Sequence, residues 1–234
     1  MATTIVNSGV DGLVRHSSTT SFLQAVQGSG NFASNTANQV ANVATSTTFF
    51  CGRIYYQFDT TGIPTDQVAT SATIQIRLSG KRGGTTDNTE NHKLFSSTNH
   101  TAISTTSALF NTFDDSVSDV VDVGNATGVT LGFTLDDAGL TYINAQIAAG
   151  NPCAFLQRCQ NDYGDPLTNP SGVNFRTFSD FEDSTSSFRP KMTIVHDTGG
   201  TSGYGHNVIG VSSGDISKVI GVATANIDKV IGVD

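Results

Sequence analysis

Apolar and polar residues alternate along most of this chain, and the period is two. In Phe49-Phe50-Cys51-Gly52-Arg53-Ile54-Tyr55-Tyr56-Gln57-Phe58-Asp59, one face carries Ile54, Tyr56 and Phe58. The other carries Arg53, Tyr55 and Gln57, which predicts a half-buried strand. Ser71 to Leu78 turns Ala72, Ile74, Ile76 and Leu78 inward, with Thr73, Gln75 and Arg77 outward. Val129 to Leu135, Ala154 to Cys159 and Val173 to Phe178 continue the β pattern, and Arg189 to Val195 closes it. Pro190 sits near the start of that last strand, where an edge or first position tolerates it. Residues 114–123 set Val117, Val121 and Val123 against Asp115, Asp119 and Asp122. Lys93-Leu94-Phe95 and Ala102-Ile103 are weaker strands. Ahead of position 49, Ile5-Val6, Leu13-Val14 and Val40 to Val43 predict short strands separated by long loops, with disorder the alternative for 27–39.

The period changes once. Leu140, Ile143, Ile147 and Ala148 fall at helical spacing, acids open the stretch, and Gly150 lies just past its end. These signals predict a single amphipathic helix over 137–149. A run of Gly, Ser and Thr from Asp197 to Gly205 has the composition of a flexible linker. The expected organisation is therefore a β-sandwich domain over 1–197, a Gly-rich linker over 198–206 and a repeat tail over 207–234.

That tail repeats itself. Val208-Ile209-Gly210-Val211 returns as Val219-Ile220-Gly221-Val222 and as Val230-Ile231-Gly232-Val233, each copy 11 positions after the last. Ile216 and Ile227 stand at matching places before the second and third copies. Small and polar residues between copies suit turns, so the tail reads as a stack of short strands. An 11-residue period also fits a right-handed helical coil, but the Gly and β-branched residues in every copy argue for strand. Each large apolar side chain left in water forgoes about 1.5–3 kcal/mol. Val208, Ile209, Val211, Ile216, Val219, Ile220, Val222, Ile227, Val230, Ile231 and Val233 are thus the expected assembly interface. They pack on a symmetry mate or another protein, or, in the plainer reading, back on their own domain.

Composition narrows the partners. The 234 residues carry a net charge of −8, and only 14% are charged. An acidic balance speaks against nucleic acid, whose phosphates need clustered Lys and Arg. The only basic cluster, Arg77, Lys81 and Arg82, reads as a solvated strand end. No signal peptide and no run of 18 apolar residues is visible, so neither a cleavable signal nor a membrane helix is expected. Cys51, Cys153 and Cys159 lack metal-ligand spacing. Cys153 and Cys159 share a strand face about 20 Å apart at ~3.3 Å per residue, too far to bridge, so all three are expected as buried small hydrophobes.

Catalytic chemistry is not expected. His16, His92, His100, His196 and His206 are scattered, and no nucleophile elbow or phosphate-binding loop occurs. Asp114-Asp115, Asp136-Asp137 and Asp180-Glu182-Asp183 offer paired carboxylates of the glycosidase kind; loop solvation and helix capping explain them more simply. Asn161, Asp162 and Asp165 form an oxygen-rich loop of the sort calcium takes, though a bare turn is the simpler reading. No cofactor or metal is therefore expected. Without Trp, the candidates for stacking on a sugar are Tyr55 and Tyr163.

Two stretches together resemble a known family. Tyr56-Gln57-Phe58-Asp59-Thr60-Thr61-Gly62-Ile63-Pro64, followed by Ala69 to Leu78, resembles the early hallmark of jelly-roll modules of the DNRLRE type. Phe188-Arg189-Pro190-Lys191-Met192-Thr193-Ile194-Val195 resembles their last strand, and the helix falls where that family carries one. The resemblance covers about 50–197 and lacks the motif that names the family. It implies an all-β, carbohydrate-binding-module-like jelly-roll β-sandwich with one short helix, here followed by a tail of short β repeats. The Ile-x-Lys-Val-Ile-Gly-Val copies resemble short repeats at the ends of tailed-bacteriophage virion proteins. The expectation is a non-enzymatic virion protein, made in the host cytoplasm: capsid decoration, fibre or tail component. Its partners would be virion proteins or symmetry mates in a homo-oligomer, without nucleic acid or membrane. The alternative is an adhesin module recognising bacterial surface glycans.

Overall fold

The computed structural model describes residues 1–36, 38–45, 47–82, 91–102, 104–124, 127–164 and 172–198, with the backbone of 218–219 and 222–223 in the tail. The chain is all-β and antiparallel. In order it forms β1 (Ala2–Ser18), α1 (Phe22–Gln27), β2 (Phe32–Ser34), β3 (Asn38–Ala44), β4 (Phe49–Phe58), β5 (Gln67–Arg82) and β6 (Asn91–Ser97). A 3-10 turn (Ser107–Asn111) leads to β7 (Phe113–Ser116), β8 (Val121–Asp122), β9 (Thr130–Thr134) and α2 (Asp137–Ala149). Then come β10 (Cys153–Cys159), α3 (Gln160–Tyr163), β11 (Gly172–Phe178) and β12 (Lys191–Thr198).

Two long strands hold the architecture together. The first part of β1, through Asn7, pairs with β12, and from Ser8 onward β1 pairs with β4. The ladder shifts register between Ser8 and Val10, a bulge that lets one strand leave one sheet and enter another. The opening of β5 pairs with β12 and β9, and its end pairs with β11. Pairing then runs β1–β12–β5–β11–β3–β4 and back to β1, so the sheet closes on itself. The expected pair of short strands at Ile5-Val6 and Leu13-Val14 is one strand, because the polar residues between them are paired too.

The main core lies inside this closure. Ile54, Tyr56 and Phe58 of β4 meet Ala72, Ile74 and Ile76 of β5, Phe133 of β9, Phe155 of β10, and Met192 and Ile194 of β12. Cys153 and Cys159 both face this core, Cys51 faces a second one, and all three are free, buried thiols. The second core corrects the half-buried expectation for β4. Cys51 and Tyr55 are as buried as Ile54, because Phe22, Ala25 and Val26 of α1 and Leu109 and Phe110 of the 3-10 turn cover that face. Helix α1 is short enough to leave no lasting periodicity; Ser21 caps it by accepting the Gln24 N–H at 3.2 Å. Within 27–39, β2 and the start of β3 stand where disorder was the alternative. Ala102 belongs to no strand, and Ile103 lies outside the described residues.

Helix α2 matches its expected limits. The Asp136 side chain accepts the Gly139 N–H at 2.9 Å, and Gly150 ends the helix at φ 67°. Ile143 and Ile147 enter the core as expected, whereas Ala148 is exposed. Asn144 clamps β5, accepting the Ala69 N–H at 2.7 Å and donating to the Ala69 carbonyl at 3.2 Å. In the tail, β13 (Lys218–Val219) pairs antiparallel with β14 (Val222–Ala223), Val219 opposite Val222. Ile220 and Gly221, between these two strands, lie outside the described residues.

Gly139 supplies a test of the helix seat. In an exposed helix, Gly→Ala stabilises by about 1 kcal/mol. A Cβ here would lie 2.5 Å from the Val117 carbonyl oxygen and 2.9 Å from Leu135 Cβ. Gly139→Ala is therefore expected to lower the urea midpoint, read by circular dichroism, instead of raising it.

Candidate functional site

The largest concentration of buried charge sits on the second face of β4. Arg53 lies between Cys51 and Tyr55 on that face and is 0% exposed. A guanidinium has five N–H donors, and Arg53 places all of them. Nε and Nη2 reach the two Asp162 carboxylate oxygens at 2.8 and 2.7 Å. Nη1 reaches the Phe110 carbonyl at 2.6 Å and Asn111 Oδ1 at 2.9 Å, and Nη2 also reaches the Val26 carbonyl at 3.0 Å. Arg158, at the end of β10, donates to the same carboxylate through Nε at 2.8 Å and Nη2 at 3.1 Å, and to the Asp162 carbonyl at 2.8 Å. Phe110 and Phe113 face the Arg53 guanidinium at 3.8 and 4.8 Å, and Phe95 and Phe113 face Arg158 at 4.5 and 4.0 Å.

Burial alone raises the Asp162 carboxyl, but Arg158 and Arg53 outweigh it and hold it well below the usual carboxylate range. Burial likewise opposes the charge on Arg53, and Asp162 overcomes it, so Arg53 titrates above its ordinary value. This fixes the role of Asp162 in the oxygen-rich stretch. Both Asp162 oxygens already accept guanidinium N–H groups, and two adjacent cations repel a third. Asn161 is buried, Asp165 lies outside the described residues, and no group of three metal-ligating side chains occurs among the described residues. In place of the bare turn preferred from sequence, Asn161 and Asp162 lie in α3, and Asp162 is the centre of a buried ion-pair group.

A second polar group lies inside the main core. Asp11 of β1 is fully buried, and its Oδ1 accepts from Asn38 Nδ2 at 2.9 Å. Burial is the largest influence and pushes the carboxyl up to about 7, with Asp180 adding to it and hydrogen bonds from Asn38, the Phe181 backbone and Ser8 opposing it. Nearby, Tyr56 donates to Gln157 Oε1 at 2.8 Å, and the Gln157 amide nitrogen lies 2.7 Å from His92 Nδ1. These groups specify how strands meet, and none is open to a ligand.

The residues singled out by sequence fare unevenly. Tyr55 is corrected: its ring is completely buried under α1 and the 3-10 turn, and its hydroxyl donates to the Asn99 carbonyl at 2.7 Å, so no sugar face can reach it. Tyr163, at the end of α3, is half-buried, with its ring 5.7 Å from that of Phe95. Val208, Ile209, Val211, Ile216, Ile220, Ile227, Val230, Ile231 and Val233 lie outside the described residues, and Val219 and Val222 are described by backbone only. Among the paired carboxylates, Asp136 caps α2, while Asp114 and Asp115 stand exposed on β7. Arg77 stacks on the Phe188 ring at 3.7 Å, and the Lys81 and Arg82 side chains are outside the described set. Sequence reasoning missed the Arg53 centre; its one signal was a charge inside the otherwise apolar Phe49–Phe58 run. Comparison with family models finds no match, and comparison with curated proteins finds none.

Two substitutions test the buried groups, and their pH windows are separate. Asp162→Asn is expected to cost about 3–5 kcal/mol by leaving two buried guanidinium groups short of charge. In the native protein the Asp162 contribution is present above its unfolded value of 3.8 and is lost only as pH falls through the lower folded one. Asp11 acts with the opposite sign. Its folded value of about 7 exceeds 3.8, so the folded state binds the proton more tightly and loses stability as pH rises between the two. Asp11→Asn is expected to flatten that decline, read from urea midpoints at pH 5 and pH 8.

Proposed function

We propose that this chain is a non-enzymatic structural protein of a bacteriophage particle, with a jelly-roll sandwich as its body and the Val-Ile-Gly-Val tail as its attachment. The observation that carries the reading is the threefold tail repeat, whose apolar side chains gain shelter only by packing on something. The resemblance to DNRLRE-type modules and to virion tail repeats supports it. So do the folding roles of two of the acids weighed for chemistry: Asp136 caps a helix, and Asp162 neutralises two arginines. The two-strand pairing of Lys218–Val219 with Val222–Ala223 agrees with repeats built from short strands.

The mechanism is burial of Val and Ile from 208–233 against virion proteins or symmetry mates, with backbone pairing at exposed strand edges. Capsid decoration, a fibre and a tail component all fit such an attachment. The carbohydrate-binding adhesin remains the second reading; of its two sequence-chosen contacts, only Tyr163 keeps part of its ring at the surface.

Removing 206–234 is expected to yield a folded protein of lower oligomeric mass that no longer joins particles. Sedimentation of the full and shortened chains, together with a particle-incorporation assay, reads the result. Normal incorporation of the shortened chain overturns the proposal.

A further inference from the structure

The first part of β1 has an open side. Residues 2–7 pair with β12 and, among the described residues, with no other strand. The Ser8 N–H donates to the Pro190 carbonyl at 2.8 Å, which sets the phase of this ladder. Alternate residues of an antiparallel strand turn their polar backbone groups to opposite sides. Thr4 and Val6 therefore aim at β12, and Thr3, Ile5 and Asn7 aim away from it. Those three residues are exposed, Ile5 to 64%. Natural sheets guard such edges with charge, proline, a bulge or short length. Other marginal strands here follow that rule: β7 carries Asp114 and Asp115, β8 carries Asp122, and β2 has only 3 residues. Strand β9 has Gly132 at its middle, and Ser118 bridges Leu135 just past its end. From Met1 to Asn7 there is no charged side chain and no proline, and Thr3, Thr4, Ile5 and Val6 are all β-branched. The ladder's bulge comes only after Ser8.

We propose that this edge of β1 pairs antiparallel with the same edge of a second copy of the chain, Ile5 against Ile5. The register follows from the phase of the ladder. Outward-facing residues must meet outward-facing residues to exchange hydrogen bonds. Centring the two-fold axis on Ile5 uses all of them, because Thr3 of each copy then meets Asn7 of the other. The same register sets the exposed Ile5 side chains directly opposite each other, where a cross-strand pair shelters both. Charge favours the antiparallel sense. Strand β12 places His196 and Asp197 at the Ala2 end of the edge and Lys191 opposite Asn7. Two copies meeting head to tail bring the acidic end of each beside the basic end of the other, and a contact related to itself by a two-fold axis closes as a dimer. Two chains of net charge −8 repel, and an edge without acids is where they can approach. The contact uses residues 2–7 alone, so it and the tail attachment can fail separately.

The test uses the full chain in two ways. The native cysteines are buried, so a thiol added at the surface reacts by itself. Residues directly paired across strands have Cα atoms about 5.5 Å apart, within reach of a disulfide. Ile5→Cys is expected to form a disulfide-linked dimer on mild oxidation at least tenfold faster than Val68→Cys, an exposed control on β5. In the unaltered chain, amide hydrogen exchange at Thr3, Ile5 and Asn7 is expected to slow at least tenfold between dilute and concentrated protein, while Thr4 and Val6 stay as they are. Equal cross-linking of Ile5→Cys and Val68→Cys overturns the pairing. So does fast exchange at every concentration. Protection that ignores concentration means the chain covers its own edge, and concentration-dependent protection without the Ile5→Cys cross-link means another copy's tail holds it; either result overturns the proposal.

Discussion

One carboxylate, that of Asp162, fixes how the second layer sits on the sheet. It draws Arg53 from the middle of β4 and Arg158 from the end of β10, and Arg53 in turn holds carbonyls from α1 and from the 3-10 turn. Burying three charges is costly, and a hydrophobic trio of the same volume often stabilises as well or better. What the charges supply is direction. An apolar contact between α1 and β4 tolerates sliding, but five N–H groups matched to five acceptors tolerate little. The short helix, the turn and α3 are pinned to one place by donors whose geometry is planar and rigid.

The second core follows from that pinning. With α1 and the 3-10 turn locked down, Cys51, Tyr55, Ala154 and Leu156 lie under cover, and β4 and β10 become strands buried on both faces. This is why Tyr55 serves as a packing element with its hydroxyl turned to a backbone carbonyl. The interior group around Asp11, Asn38 and Tyr56 works likewise on the other side of the sheet, marking where β1, β3 and β4 meet.

Much of the frame was legible in the chain. Period-two runs placed β4, β5, β9, β10, β11 and β12, and capping chemistry placed α2 at Asp136 and Gly150. Legibility failed where a contact far away in sequence decides the outcome. Arg53 alternates like a surface residue, and only a carboxylate 109 positions later makes it interior. Alternation likewise gives no sign that α1 covers Tyr55, since local pattern reports which residues share a face and not what lies above it. The polar stretch between Val6 and Leu13 read as a loop because its partners, β12 and β4, are remote.

The joining of β1 to β12 has a consequence for synthesis. Ala2 is opposite His196, so the first strand made must wait for almost the last one before its outer sheet is complete. Pairings this distant are slow to form, and until then the edges of β1 and β5 stand open to stray partners. The Val-Ile-Gly-Val copies are translated only after that final strand. These apolar copies therefore leave the ribosome after β12, when the sheet they would otherwise invade can already be shut.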